Sequence, residues 1–136
     1  MRRGRCSLPG HGYLITAVTQ DRSRWFEETA NARAAARSFY ADSVALEAET
    51  LAFVVMPDHV HWLLILNGDL SEAVRRYKSL VTHQVGARVW QRGFHDHGLR
   101  REEDLRRVAR YIVANPLRAG LVDNILDYPY WDAVWL

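Results

Sequence analysis

L-A-F-V-V-M-P-D-H-V-H-W-L-L-I-L, Leu51 to Leu66, decides the fold. Its first six residues, Leu51–Met56, form a β-branched and aromatic run of the kind that makes a buried strand. Pro57 and Asp58 break the run as a turn. His59–Leu66 reads as a second strand, closed by Asn67, Gly68 and Asp69. Upstream, Gly10–Thr19 reads as a strand entered through glycines, and the Ala- and Arg-rich Glu27–Tyr40, with acids in its first turn, as a helix. Downstream, Ser71 is placed to cap a helix that carries Val74, Tyr77, Lys78, Val81 and Val85 on a helical period. A short strand is expected near Gly93–Leu99. Glu102–Asn115 has acids at its start, basic residues later and a core stripe of Leu105, Val108 and Ile112, so it reads as a helix that Pro116 stops. The tail to Leu136 reads as a loop, with Trp131 and Trp135 packing back onto the body.

The order is therefore β-α-β-β-α-β followed by a helix. Two split β-α-β units of this kind predict an α+β fold, a ferredoxin-like antiparallel sheet with helices on one face. The C-terminal helix carries Tyr111. With 136 residues, 49% of them hydrophobic, the chain has the size and core of one domain. Residues 1–10 and 131–136 are expected to be peripheral tails.

The longest apolar runs are far shorter than the roughly 20 residues that span a bilayer, so no membrane partner is expected. No apolar stretch follows the basic start Met1, Arg2, Arg3, which argues against a secretory signal. The single cysteine, Cys6, cannot form an internal disulfide and fits a cytosolic protein. Charge is unevenly spread. Residues 19–69 hold four Arg against eight acids, whereas residues 70–118 hold eleven Arg and Lys against five. Only one of the 18 basic residues is a lysine. Arginine forks phosphate and stacks on bases, so the second half suits a polyanion, although a GC-rich genome also favours arginine.

Three segments carry chemistry. In M-P-D-H-V-H-W, Met56 to Trp62, alternation along a strand points His59 and His61 the same way, roughly 7 Å apart along the strand. Two imidazoles so placed can share one divalent metal; two half-buried strand histidines would look the same. In Y-I-V-A-N-P, Tyr111 to Pro116, Tyr111 and Asn115 lie one helical turn apart on one face, and Arg107 extends that stripe. A half-buried aromatic and a C-capping amide would share this spacing. In R-R-Y-K-S-L-V-T-H, Arg75 to His83, the side chains of Arg75, Lys78, Ser79 and Thr82 fall on one side of a helix, as a phosphate-binding face or a solvated one. Trp62, Trp90 and Phe94 have the rings to stack unpaired bases, though core packing is the commoner use of such residues.

Taken in order, H-V-H (His59–His61) after M-P-D, W-Q-R-G-F-H-D-H (Trp90–His97) and Y-I-V-A-N-P-L-R-A-G-L-V (Tyr111–Val122) resemble the HUH single-tyrosine transposases. Within that insertion-sequence transposase-like family, the chain is similar to the REP-associated tyrosine transposase branch over nearly its whole length, from Gly12 to about Tyr130. The resemblance implies that His59, His61 and Asn115 hold Mg²⁺ or Mn²⁺, weakly, with water and a phosphate oxygen completing the shell. It implies that Tyr111 is the nucleophile, His59 and His61 supporting it through the metal, and that cleavage leaves a 5′-phosphotyrosine and a free 3′-OH. Arg75, Arg76, Lys78, Ser79, Thr82, Arg107 and Arg118 would contact DNA. His95, Asp96 and His97 are accessory candidates, a polar turn being the plainer account of them. The implied substrate is single-stranded DNA of hairpin or palindromic sequence in a bacterial, nucleoid-associated setting, and the implied state a monomer or a homodimer. A non-catalytic hairpin-binding regulator and an unrelated metal hydrolase using water are the competing readings; only the hydrolase would keep its cleavage activity in Tyr111→Phe.

Overall fold

The structure, a computed structural model, describes residues 7–135; Cys6 and the basic start lie outside them. Five strands form one sheet: β1 (Gly12–Val18), β2 (Ala48–Met56), β3 (His59–Leu66), β4 (His95–Leu99) and β5 (Trp131–Ala133). Their order is β4-β1-β3-β2-β5 and every pairing is antiparallel. The first four strands have the order that two interleaved split β-α-β units give, so the α+β architecture expected from the sequence is the one observed.

The hairpin of β2 and β3 is the middle of the sheet. Alternation along β3 sends Val60, Trp62, Leu64 and Leu66 to one face, where they meet α1 (Thr29–Ser38), α2 (Asp42–Ala45) and α3 (Leu70–Val85). Phe39, Tyr77 and Trp62 pack ring on ring there, with centroids 4.2–5.3 Å apart. The other face of β3 carries His59, His61, Leu63 and Ile65. Its apolar part is covered by α4 (Glu102–Val113), through Leu105, Ala109, Ile112 and Val113. A register shift between Thr50 and Ala52 lets both Leu51 and Ala52 face α4.

Several local expectations need correction. Asp69, not Ser71, caps α3: its carboxylate accepts from the Ser71 N–H. The buried stripe of α4 runs through Leu105, Ala109 and Ile112, at i, i+4 and i+7, and leaves Val108 half-buried. That helix ends at Val113, and a separate turn, α5 (Asn115–Arg118), starts with Pro116 in its first positions. Proline lacks the N–H that a continuing helix needs, but it is suited to opening a new one. The tail is not peripheral throughout. Trp131–Ala133 pairs with Val54–Ala52 of β2, which would otherwise be an exposed sheet edge. No helix among the described residues is long and apolar enough to cross a membrane.

Candidate active site

His59 and His61 stand two residues apart on β3 and face the α4 side. Their ring centroids are 4.9 Å apart, edge to face. Each ring is held through its Nδ1. His59 Nδ1 lies 2.8 Å from Asp58 Oδ1; an ionised carboxylate only accepts, so His59 donates there and its Nε2 is left for another partner. The Asp58 carboxyl is also 3.8 Å from the Arg22 guanidinium. Burial pushes that carboxyl up, but its bond to His59 and the charges of His59 and Arg22 outweigh it, so it stays below the usual carboxylate range. His61 Nδ1 lies 3.0 Å from Thr16 Oγ1, on the neighbouring strand, where Thr16 pairs with His61 directly. Burial, then the charges of His59 and Arg118, push His61 down to about 4. The imidazole is therefore neutral at pH 7 with a lone pair to offer.

Tyr111 projects from the outer side of α4 and is 60% exposed. Arg118 of α5 ties it to Asn115. The guanidinium sits 3.8 Å from the Tyr111 ring centroid, donates to the Tyr111 carbonyl and donates to Asn115 Oδ1 at 2.7 Å. Because guanidinium only donates, the amide oxygen must be the atom facing Arg118. So the helix break at Ala114 does not separate Tyr111 from Asn115, and the charge of Arg118 is felt at His61.

The donor set fits a divalent ion bound without a carboxylate. Two imidazoles whose Nδ1 atoms are engaged, leaving Nε2 available, match the way metal-bound histidines are oriented by outer partners, and Asn115 offers an amide oxygen. Among the described residues no group of three or more His, Cys, Asp or Glu side chains is assembled.

The other expected positions scatter. Arg75 and Arg76 both bind Glu72, and Arg76 also reaches Glu47 and the Ser43 carbonyl. Lys78 donates to the carbonyls of Gln91 and Gly93, so it tethers the segment that leads into β4. Ser79 is exposed and Thr82 half-buried. All five lie on α3, across the sheet from the histidines. Arg107 is exposed and pairs with Asp104. His95 stands beside Thr16 on the edge strand and His97 beside Leu14, so both share the face of His59 and His61. Asp96 points to the opposite face. His97, Arg100, Arg101 and Arg107 line an open hollow of about 500 Å³. Trp62 is fully buried and has no face for a base, whereas Trp90 and Phe94 are half-buried against the core. Sequence reasoning missed Thr16 and Asp58 as partners of the histidines. Asp58 was signalled by its place before His59; Thr16 had no local signal.

No family model matches the chain. A REP-associated tyrosine transposase of Escherichia coli K12 is 35% identical over 86 residues, and the chain spans about half the length of that relative (52%). Among solved structures, a REP-associated tyrosine transposase bound to a REP hairpin superposes with a TM-score of 0.76 at 26% identity, over 96% of this chain and 81% of that one. A transposase-like structure from Deinococcus radiodurans, at 20% identity and a TM-score of 0.55, shares the fold. A Haemophilus influenzae relative carried under the same family name is 30% identical over 138 residues, 87% of this chain and 77% of its own length. With a likeness that runs through most of both chains, the protein belongs to the REP-associated tyrosine transposases.

Proposed function

We propose that the chain is a metal-dependent single-stranded DNA endonuclease and strand transferase that cuts at hairpin-forming sequence through a covalent link to Tyr111. The observation that carries this reading is an exposed phenol linked through Arg118 to Asn115, with His61 within reach of the same guanidinium's charge and His59 packed against His61. A solved relative bound to a REP hairpin supports the substrate class.

In this reading His59, His61 and Asn115 would hold Mg²⁺ or Mn²⁺, which when bound would supply positive charge to polarise the scissile phosphate. Asp58 and Thr16 fix the ring orientations. Tyr111 Oη attacks phosphorus in line, its proton passing to solvent or to a nearby base. The bond from phosphorus to the 3′ oxygen breaks, and that oxygen leaves as a 3′-OH after protonation. The product is a 5′-phosphotyrosine. It conserves the energy of the phosphodiester, so an incoming 3′-OH can attack it, restore Tyr111 and rejoin DNA without ATP. Arg118 holds the protein through Nη2 alone, so Nε and Nη1 can meet a phosphate oxygen first. Because α3 lies across the sheet, a strand that touched both Ser79 and Tyr111 would pass around the β4 edge, by His95 and His97.

The test uses labelled single-stranded oligonucleotides with imperfect hairpins, Mn²⁺ or Mg²⁺ against EDTA, and a denaturing gel. A metal-dependent, protease-sensitive adduct that Tyr111→Phe does not form is the expected result. Cleavage without an adduct that persists in Tyr111→Phe would make the protein a hydrolase. Tight hairpin binding with no cleavage on cognate repeat sequences would make it a DNA-binding regulator.

A further inference from the structure

Arg118 stands in an unusual relation to the candidate metal ligands. The histidines are held by partners on Nδ1, the nitrogen a metal would not use. Asn115 is held on Oδ1, the one atom of its side chain suited to a hard cation. The same Nη2 that donates to Asn115 Oδ1 also donates to the Tyr111 carbonyl, so its two hydrogens are both engaged. The guanidinium plane also covers the Tyr111 ring. One side chain thus touches the nucleophile's ring, its backbone and the amide ligand together.

We propose that Arg118 is a positioning residue that locks Tyr111 to Asn115 and competes with a divalent cation for Asn115 Oδ1. This rests on the metal-dependent reading given above. Like charges and a shared acceptor both oppose cation binding while the lock is closed. A DNA phosphate lying between guanidinium and cation neutralises both, so DNA draws Arg118 off Oδ1 and tightens the metal site. Metal and DNA are then captured together, and the unloaded protein keeps its nucleophile pinned.

The experiment titrates the full chain with Mn²⁺ in the absence of DNA, following the free-ion signal by electron paramagnetic resonance, with circular dichroism confirming that each variant is folded. Arg118→Ala frees Oδ1 and removes a cation, so it tightens Mn²⁺ on the order of tenfold, the ratio that loss of one competing charge-assisted hydrogen bond supplies. Arg118→Lys keeps the charge but loses the fork and binds between the two. In an Asn115→Ala background the gain from Arg118→Ala falls to about threefold or less, because only the through-space charge remains. A merely structural role would loosen the site or leave it unchanged. The proposal is overturned if Arg118→Ala binds Mn²⁺ no tighter than the parent, or if the gain is undiminished without Asn115. If the parent binds no Mn²⁺ that His59→Ala abolishes, the metal reading itself fails and this inference falls with it.

Discussion

Thr16→Val changes one atom in the reach of His61. Valine keeps the shape and the strand preference of threonine, so β1 and its pairing with His61 and His95 are preserved. What is lost is the 3.0 Å contact between Thr16 Oγ1 and His61 Nδ1. For His61 to present a lone pair on Nε2, Nδ1 must carry the proton, and Thr16 is the acceptor that selects this tautomer. Outer partners of this kind are worth about 10–100-fold in metal affinity. The low end applies here, because burial and the edge-to-face contact with His59, 4.9 Å between centroids, keep the ring in place without Thr16. Thr16→Val is therefore expected to weaken Mn²⁺ about tenfold, or ~1.4 kcal/mol, and to lower stability by about 1 kcal/mol. Thr16→Ser keeps the hydroxyl and should bind nearly as the parent does. Calorimetric Mn²⁺ titration beside urea unfolding measures both quantities. Equal affinity in parent and Thr16→Val, or equal loss in Thr16→Ser and Thr16→Val, would refute the orienting role.

Other consequences follow from the same geometry. Trp62, 1% exposed, donates through Nε1 to Thr50 Oγ1 at 2.9 Å on the face away from the histidines. Trp62→Phe should cost about 2 kcal/mol in chemical unfolding and leave Mn²⁺ affinity unaltered; a weakened metal site would contradict the separation of the two faces. In EDTA, His61 resists the proton that the unfolded chain accepts near pH 6.5, since its folded value is pushed down to about 4. Stability is then full above pH 6.5 and falls as pH drops toward 4, by up to about 3 kcal/mol. His61→Asn should flatten that part of the stability profile, and an unchanged slope would assign the acid sensitivity elsewhere.

Much of this was legible because local pattern and tertiary demand agree. The hairpin Leu51–Leu66 is buried nearly throughout, so its composition alone marks two strands, and strict alternation places His59 beside His61. The Tyr111–Asn115 spacing survives even though the helix breaks between them, because Arg118 bridges the break. Other features depend on partners distant in sequence. Thr16 meets His61 only through the β1–β3 register, 45 residues apart. The strand at Trp131–Ala133 has too few residues to show a period and exists because β2 offers it an edge. The sequence pattern puts Val108 in the buried stripe of α4 where the fold buries Ala109, since Ala109 is small enough to sit against the sheet and carries little hydrophobic signal. Arg76 and Lys78 read as free cations until the fold brings Glu47 and the Gln91–Gly93 carbonyls to them.

Locating the covalent bond decides whether Tyr111 is the nucleophile. A cleavage reaction on a hairpin-bearing single strand, quenched and digested with protease and nuclease, is analysed by mass spectrometry of the peptides. The expected product is a nucleotide 5′-phosphate on the peptide containing Tyr111, attached to its phenol oxygen and absent in EDTA. Strand cleavage with no modified tyrosine, or with the phosphate on any other residue, would contradict it.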